Sequence, residues 1–214
     1  MADQCLIVFL KVPRPGAVKT RLAATLGAKA ACTIYQHLVT VLLRKLASVP
    51  HVELRFTPDD AKGEVEPWAS SHWRLEAQGP GDLGHRLAEA FAAAFQRGSK
   101  QVLVIGSDCP ELGLADLEAA WTALLSNDVV LGPARDGGYW LIGLRAAAPE
   151  LFEGIAWGSD AVLSQTLERC RQRGLQVHLL RELEDIDTEE AWRRYLTRQP
   201  KGEACPADLA GLHQ

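Results

Sequence analysis

Cationic side chains are concentrated in the segment that follows the first apolar run of the chain. This segment carries the cations Lys11, Arg14, Lys19 and Arg21 together with the turn-forming residues Pro13 and Gly16. A helical pattern starts directly after it, and the unpaired N–H groups and partial positive charge of a helix start attract anions. We therefore predict a phosphate-binding loop, with a solvated basic turn as the alternative. A P-loop is excluded because Val18 stands where that motif requires a glycine.

Two acidic motifs have the residue types that hold a divalent cation. Asp108 follows the continuous apolar run 102–106, which is typical of a strand buried on both faces of a parallel sheet. Asp185 and Asp187 flank one apolar residue, so both carboxylates can point the same way from an extended segment. Such carboxylates predict a metal site that also holds phosphate oxygens, with Asp187 favoured over Asp185. The alternatives are a turn aspartate at 108 and, with Glu190, a capping box at 187.

Three further motifs are candidates for contact with a ligand. They comprise Gly81, Asp82, Gly84 and Arg86 around a predicted helix start, Asp136, Gly137 and Gly138 in a turn, and Trp157. Glycines at such places allow positive φ or a close approach between backbone and ligand. We predict that the first group contacts a nucleotide and that the other two contact substrate. The structural alternatives are a plain helix entry, a hairpin turn and core packing, respectively.

Strand and helix patterns alternate along the chain, which determines where these motifs lie. Strands are predicted at 5–11, 51–57, 102–106, 128–132, 139–144 and 175–180, and helices at 19–47 with a break at Gly27, 84–96, 114–125, 159–173 and 188–197. Residues 58–81 are predicted to be loop-rich. The alternation favours an α/β fold with a mostly parallel central sheet and helices on both faces. Ligands bind at the carboxyl ends of strands in such sheets, and the candidate motifs follow those ends.

Length and composition bound the possible classes of protein. The 214 residues suit one domain, which we predict over 1–197, followed by a C-terminal tail over 198–214. A net charge of −4 argues against a nucleic-acid partner, and no apolar run approaches the roughly 20 residues of a membrane span. The five cysteines form no C-x-x-C pair, and the N-terminal residues lack the pattern of a signal peptide. The expected location is the cytoplasm.

The motifs, taken as a set, resemble those of a bacterial family of uncharacterised proteins in the nucleotide-diphospho-sugar transferase superfamily. The resemblance covers about residues 5–197. It rests on Lys-x-Pro-x-Pro-Gly-x-Val-Lys-Thr-Arg-Leu at 11–22, Gly-Asp-Leu-Gly at 81–84, Gly-Ser-Asp-Cys-Pro at 106–110, Gly-Pro-Ala-x-Asp-Gly-Gly-Tyr at 132–139 and Asp-Ile-Asp-Thr at 185–188. The start and end motifs are also similar to those of the 2-phospho-lactate guanylyltransferases. The Gly-Gly-x-Gly-x-Arg loop of common sugar nucleotidylyltransferases is absent.

The resemblance implies a GT-A type fold that binds a nucleotide at the first strand's loop and Mg²⁺ or Mn²⁺ at acidic residues. Lys19 and Arg21 match the phosphate-binding cations of the family, and Asp108 and Asp187 match its metal ligands. We expect glycosyl transfer from a nucleotide sugar to a small acceptor, with Asp108 and Lys19 catalytic and Asp136 a possible base. One alternative is nucleotidylyl transfer to a phosphorylated small molecule with release of pyrophosphate. Another is a nucleotide-binding protein without catalysis.

Overall fold

A computed structural model describes residues 3–198 as a seven-stranded sheet flanked by helices. The strands are β1 (Gln4–Lys11), β2 (Val52–Thr57), β3 (Arg74–Ala77), β4 (Gln101–Ile105), β5 (Val129–Pro133), β6 (Tyr139–Leu144) and β7 (Val177–Leu179). The helices are α1 (Thr20–Leu26), α2 (Ala28–Lys45), α3 (Lys62–Val65), α4 (Leu83–Gln96), α5 (Leu114–Ala123), α6 (Val162–Gln172) and α7 (Glu189–Arg198). Of the predicted tail 198–214, Arg198 is the last residue of α7, and residues 199–214 lie outside the described part of the chain.

The strands follow the order β3-β2-β1-β4-β6-β5-β7, and only β6 runs antiparallel to its neighbours. This confirms the predicted α/β class with a mostly parallel sheet. Since β1 leads outward to β2 and β3 while β4 leads the opposite way, the chain changes direction between β1 and β4. Open α/β sheets bind ligands at such a switch point, outside the carboxyl ends of the strands.

Most predicted elements lie within a few residues of their observed positions, but the segment 58–81 is more ordered than expected. It contains α3 and the edge strand β3, which pairs in parallel with β2. The β3 sequence Arg-Leu-Glu-Ala has no strong apolar pattern because this strand is only partly buried. Arg74 lies opposite Glu53 of β2, a buried carboxylate that also binds Arg55 and Arg97. A charged layer therefore covers this edge of the sheet.

Alternating side chains of β1 enter two separate cores. Leu6, Val8 and Leu10 pack on the face covered by α2 and α5, whereas Ile7 packs with Phe91 of α4 on the opposite face. A strand buried on both faces requires such a continuous apolar run. Fully burying each of these aliphatic side chains contributes about 1.5–3 kcal/mol. Packing on both faces of the sheet thus fixes the positions of the carboxyl ends of the strands, which the candidate motifs follow.

A third core holds α7 against the first two helices. Trp192 is 1 % exposed and lies among Leu22 of α1, Leu38 of α2 and Ile186 of the preceding loop. The Trp192 ring lies 5.5 Å from that of Tyr195, between centroids. This packing matters for the site because the segment that leads into α7 carries Asp187.

Four cysteines fall within the described residues, and all four are free thiols. Cys32, Cys109 and Cys170 are buried, and Cys5 is half-buried. Buried free cysteines of this kind contribute to packing as small side chains. Separately, no helix within residues 3–198 combines the length and apolar character that crossing a membrane requires.

Truncating the α7 anchor tests the third core. We expect Trp192→Ala to lower the free energy of unfolding by about 3–5 kcal/mol, since a large buried aromatic is removed and a cavity remains. Arg193→Ala is the matched control. Arg193 is half-exposed and contacts Glu189 on the same helix, so its loss should change stability by about 0.5 kcal/mol or less. Urea denaturation of both variants measures this, and equal losses would contradict the proposed anchor.

Candidate active site at the switch point of the sheet

The loops after β1 and β4 border a cleft at the switch point of the sheet. Its volume is about 340 Å³. The lining side chains and backbone come from Phe9, Leu10, Lys11, Val18, Lys19, Thr20, Arg21, Tyr35, Gln78, Leu83, Gly106, Ser107, Asp108 and Asp187. The lining therefore combines apolar residues, among them Phe9, Leu10 and Leu83, with charged ones.

Lys19 lies between two of the predicted metal ligands. Its Nζ is 3.1 Å from Asp108 Oδ2 and 2.6 Å from Asp187 Oδ1. The Lys19 side chain is only 3 % exposed, while the two carboxylates remain 40 % and 35 % exposed. Burial by itself would lower the pKa of Lys19, but the two carboxylates outweigh it and raise that pKa above its ordinary value. The ammonium therefore stays charged at neutral pH and neutralises part of the acidic pair.

The backbone of Lys19 adopts a left-handed conformation, with φ 50° and ψ 49°. It is the one residue other than glycine with positive φ in the part of the chain that the structure describes. This conformation disfavours side chains that carry a Cβ, and such outliers persist where surrounding contacts compensate for the strain. Here the compensation comes from the ion pairs with Asp108 and Asp187. Lys19 also forms the N-cap of α1.

Tyr35 of α2 supports this arrangement, although no sequence motif indicates it. Its hydroxyl accepts a hydrogen bond from the Lys11 backbone N–H at 2.9 Å and bonds Ser107 Oγ at 2.8 Å. Burial and the neighbouring Asp108 raise the pKa of Tyr35, so the phenol stays neutral. Lys19 Nζ lies 5.8 Å from the ring centroid, within range of a cation–π contact. One helical tyrosine thus joins the loops after β1 and β4.

Asp185 lies next to the pair but serves a different purpose. Its Oδ1 accepts a hydrogen bond from Cys109 Sγ at 2.7 Å. Burial, followed by repulsion from Asp136, Asp108 and Asp187, raises the pKa of Asp185 to about 6, even though the Cys109 contact lowers it. The raised pKa of Asp185 therefore reflects both its burial and the nearness of three other carboxyl groups. The backbone joins the same segments, because Ile186 N–H donates to the Asp108 carbonyl at 3.1 Å.

The acidic residues can hold a divalent cation only as part of a larger ligand set. Among residues 3–198, no three acidic, histidine or cysteine side chains are placed so that they could hold a metal ion by themselves. Asp108 and Asp187 nevertheless approach a single cationic atom, Lys19 Nζ, and their oxygens are the donors that Mg²⁺ prefers. Magnesium in phosphate-handling sites is commonly held by one or two carboxylates, with phosphate oxygens and waters completing the shell. The donor set fits that pattern.

The predicted nucleotide-binding residues separate into two groups. Lys11, Lys19 and Arg21 line the cleft, whereas Pro13 and Gly16 lie in the loop beyond its walls. Gly16 has φ +82° and turns the chain. The segment 11–21 thus places three cationic residues along one cavity, and its remaining residues turn the chain.

The Gly81–Arg86 motif forms the start of α4. Asp82 is the N-cap, accepting a hydrogen bond from the His85 N–H at 2.9 Å. Gly81, with φ +86°, turns the chain ahead of this cap. Gly84 is buried, and a Cβ there would lie 2.6 Å from both the Phe152 carbonyl oxygen and Trp157 Nε1. The motif therefore has evident structural reasons for three of its residues.

Arg86 reaches the cleft through a residue that the sequence analysis did not single out. Its guanidinium donates to Gln78 Oε1 at 3.2 Å, and its buried Nε has no hydrogen-bond partner among residues 3–198. Gln78 is buried, lines the cleft and donates from Nε2 to the carbonyls of Leu10 and Arg55, both at 3.0 Å. A lone glutamine in a loop carries no sequence signal, so only the fold reveals this pair.

The turn 134–138 and Trp157 pack beside the cleft without lining it. Asp136 Oδ1 accepts a hydrogen bond from Gly138 N–H at 2.9 Å, which closes the turn between β5 and β6. Gly137 has φ +88°, and a Cβ there would lie 2.1 Å from the Asp160 carbonyl oxygen. The half-buried Trp157 packs against the core below α4. Their predicted contacts with substrate remain predictions.

Comparison with known proteins assigns the chain to a family. Residues 41–159, more than half of the chain, match the family described as uncharacterized proteins conserved in bacteria, DUF2064. The chain belongs to DUF2064. A search of curated proteins found no match.

Solved structures extend this assignment to the fold. A protein from Desulfovibrio desulfuricans G20, provisionally described as a nucleotide-diphospho-sugar transferase, is 34% identical with a TM-score of 0.87, covering 95% of this chain and 90% of that one. A cytidylyltransferase from Leptospira borgpetersenii serovar Hardjo-bovis is 12% identical with a TM-score of 0.56, covering 99% and 94%. Rv0371C of Mycobacterium tuberculosis H37Rv, in complex with manganese, is 14% identical with a TM-score of 0.57, covering 92% and 100%. The predicted nucleotide-diphospho-sugar transferase fold is confirmed.

The raised pKa of Asp185 makes stability depend on pH. Because the folded protein binds this proton more tightly than the unfolded chain, the contribution of Asp185 to stability falls as pH rises from about 4 to about 6. This difference in proton binding corresponds to roughly 3 kcal/mol. We expect Asp185→Asn to remove this loss, so the stability of the variant relative to wild type should increase over that range. Urea denaturation at pH 4, 5, 6 and 7 measures it; parallel profiles would refute the assignment.

Proposed function

We propose that this protein is a metal-assisted transferase that moves a glycosyl group from a nucleotide-diphospho-sugar to a small acceptor. The convergence of Lys19, Asp108 and Asp187 in one cleft at the switch point carries the proposal. The transferase class agrees with the 34% identical relative from Desulfovibrio desulfuricans, which is described as a nucleotide-diphospho-sugar transferase.

The mixed lining of the cleft supports an orientation for the proposed nucleotide. Lys11, Lys19 and Arg21 line the cleft and suit the diphosphate, whose charge they would neutralise. Leu83 and Phe9 also line it and suit the flat face of a base. Gln78, held by hydrogen bonds with Leu10, Arg55 and Arg86, is the lining amide proposed to contact the edge of the base. The proposed nucleotide therefore extends from Gln78 toward Lys19.

The residues act mainly by binding and by neutralising charge. In the reaction, the acceptor oxygen forms a bond to the anomeric carbon while the bond from that carbon to the diphosphate breaks. The nucleoside diphosphate leaves, and the acceptor proton passes to a base or to solvent. Lys19 and Arg21 stabilise the negative charge that grows on the leaving group. A divalent cation held by Asp108 and Asp187 would supply further charge neutralisation at the diphosphate. The manganese complex of a protein with the same fold supports this choice of metal.

Nucleotidylyl transfer is the second candidate, since a protein of the same fold is a cytidylyltransferase. In that reaction, an oxygen of a phosphorylated acceptor attacks the α-phosphate of a nucleoside triphosphate and pyrophosphate leaves. The same cations and carboxylates would serve, because positioning and charge neutralisation again carry the catalysis. The products distinguish the two: glycosyl transfer releases a nucleoside diphosphate and nucleotidylyl transfer releases pyrophosphate.

Replacing the proposed metal ligand tests the function. We expect Asp108→Asn to lower turnover of the preferred nucleotide substrate by about 10²-fold or more in the presence of Mg²⁺ or Mn²⁺, since one anionic ligand is lost. Turnover is measured as nucleoside diphosphate release from a panel of nucleotide sugars and as pyrophosphate release from nucleoside triphosphates.

Asp128→Asn is the matched control. Asp128 stands before β5 at the opposite edge of the sheet, where it pairs with Arg145. The same chemical change at this position should leave turnover within about twofold of wild type, as expected for a partly exposed ion pair away from the site. Activity of Asp108→Asn equal to that of the control would refute the proposed role of Asp108.

A further inference from the structure

Lys19 already places a positive charge next to the two carboxylates that would hold the metal. We propose that Lys19 is an internal counter-ion that competes with the divalent cation for Asp108 and Asp187, and that a polyphosphate must draw the ammonium away before metal binds tightly. This inference rests on the proposed function for its choice of metal ligands. It goes beyond that function because it concerns the order and coupling of binding.

The distances make simultaneous occupation unfavourable. Lys19 Nζ lies 2.6 Å from Asp187 Oδ1 and 3.1 Å from Asp108 Oδ2. A magnesium ion bonds its oxygen ligands at about 2.0–2.1 Å, so an ion on that Asp187 oxygen would lie within about 5 Å of the ammonium. A monovalent and a divalent cation at that separation repel each other strongly in a partly buried site. Either the metal stays away or the ammonium moves.

The surroundings hold the ammonium between the two carboxylates. The Lys19 side chain is 3 % exposed and lies over the ring of Tyr35. That ring cannot turn away freely, because its hydroxyl is bonded to the Lys11 N–H and to Ser107 Oγ. The left-handed backbone at Lys19 further indicates that the residue is held by its contacts rather than by its own preference. Contacts from several sides thus hold the ammonium between the carboxylates.

A polyphosphate offers the ammonium an alternative partner within the same cavity. Lys11 and Arg21 line the cleft with Lys19 and would draw phosphate oxygens to this side. Once the ammonium pairs with phosphate, both carboxylates are released toward the metal. Metal and polyphosphate then promote each other's binding, since coupling between two ligands is reciprocal. Without polyphosphate, the protein should bind the bare cation weakly.

Manganese alone is the probe for this competition. We titrate the full-length protein with Mn²⁺ without nucleotide and follow the free ion by electron paramagnetic resonance. Lys19→Met removes the ammonium while keeping an unbranched side chain of similar length. We expect this variant to bind Mn²⁺ at least tenfold more tightly than wild type, and Lys19→Arg, which keeps a cation, to remain close to wild type. Mn²⁺ affinity in Lys19→Met no greater than in wild type would overturn the proposal.

Arg21→Met is the matched control for general charge. Arg21 lines the same cleft, but among residues 3–198 it forms no ion pair with Asp108 or Asp187. We expect its loss to change Mn²⁺ affinity by less than threefold. Equal gains in Lys19→Met and Arg21→Met would overturn the proposal in favour of a diffuse electrostatic effect. Adding Asp108→Asn to Lys19→Met should abolish the gain, and a gain that persists would show that the metal binds elsewhere.

Two further measurements control for misfolding of the variants and for the proposed function itself. Circular dichroism melts establish that each variant is folded at the titration temperature, and Lys19→Gln replaces Lys19→Met if the latter is unfolded. Turnover assays separate this proposal from the proposed function. If the wild-type protein turns over no nucleotide but Lys19→Met gains Mn²⁺ affinity, the proposed function is contradicted and the counter-ion role of Lys19 is supported. Normal turnover without that gain would remove the counter-ion alone.

Discussion

The pairing of one ammonium with two carboxylates joins parts of the chain that are far apart in sequence. Lys19 follows β1, Asp108 follows β4, and Asp187 lies 168 residues after Lys19 in the segment that enters α7. Mutual repulsion of the carboxylates would otherwise push these segments apart. The backbone hydrogen bond from Ile186 to the Asp108 carbonyl and the packing of Trp192 against α1 and α2 hold the segments at the required distance. The ion pairs of Lys19 and the apolar packing of α7 thus favour the same arrangement of the three segments.

The cleft divides into regions formed by different halves of the sheet. Gln78 and Leu83 come from the side of β2 and β3, whereas Asp187 comes from the side of β7. Lys19 and Asp108 lie between these regions, at the strands where the two halves meet. A guest that spans the cleft must therefore contact both halves. The rigidity of β1 and β4, which are buried on both faces, makes that contact sensitive to small displacements of either side.

The sequence predicted best what depends on topology and worst what depends on individual side chains. The closeness of Lys19, Asp108 and Asp187 could be predicted because parallel strands bring the loops at their carboxyl ends to one edge of the sheet. Tyr35 could not be predicted, because a buried tyrosine within a helix has the same sequence pattern as a core residue. Gln78 lies in a loop without any motif. The strand β3 escaped prediction because its arginine and glutamate take part in the charged layer around Glu53.

The reversed strand β6 has a consequence for how this architecture can diversify. Because β6 runs back along β5, the two strands are joined by the short turn 134–138 and not by a crossover helix. That turn opens at the same edge as the cleft and packs against the start of α6 through Gly137. Insertions in a hairpin tip alter neither strand register nor the two cores. Chains of this architecture can therefore lengthen this tip, which lies beside the cavity, while the β1–β4 junction stays unchanged.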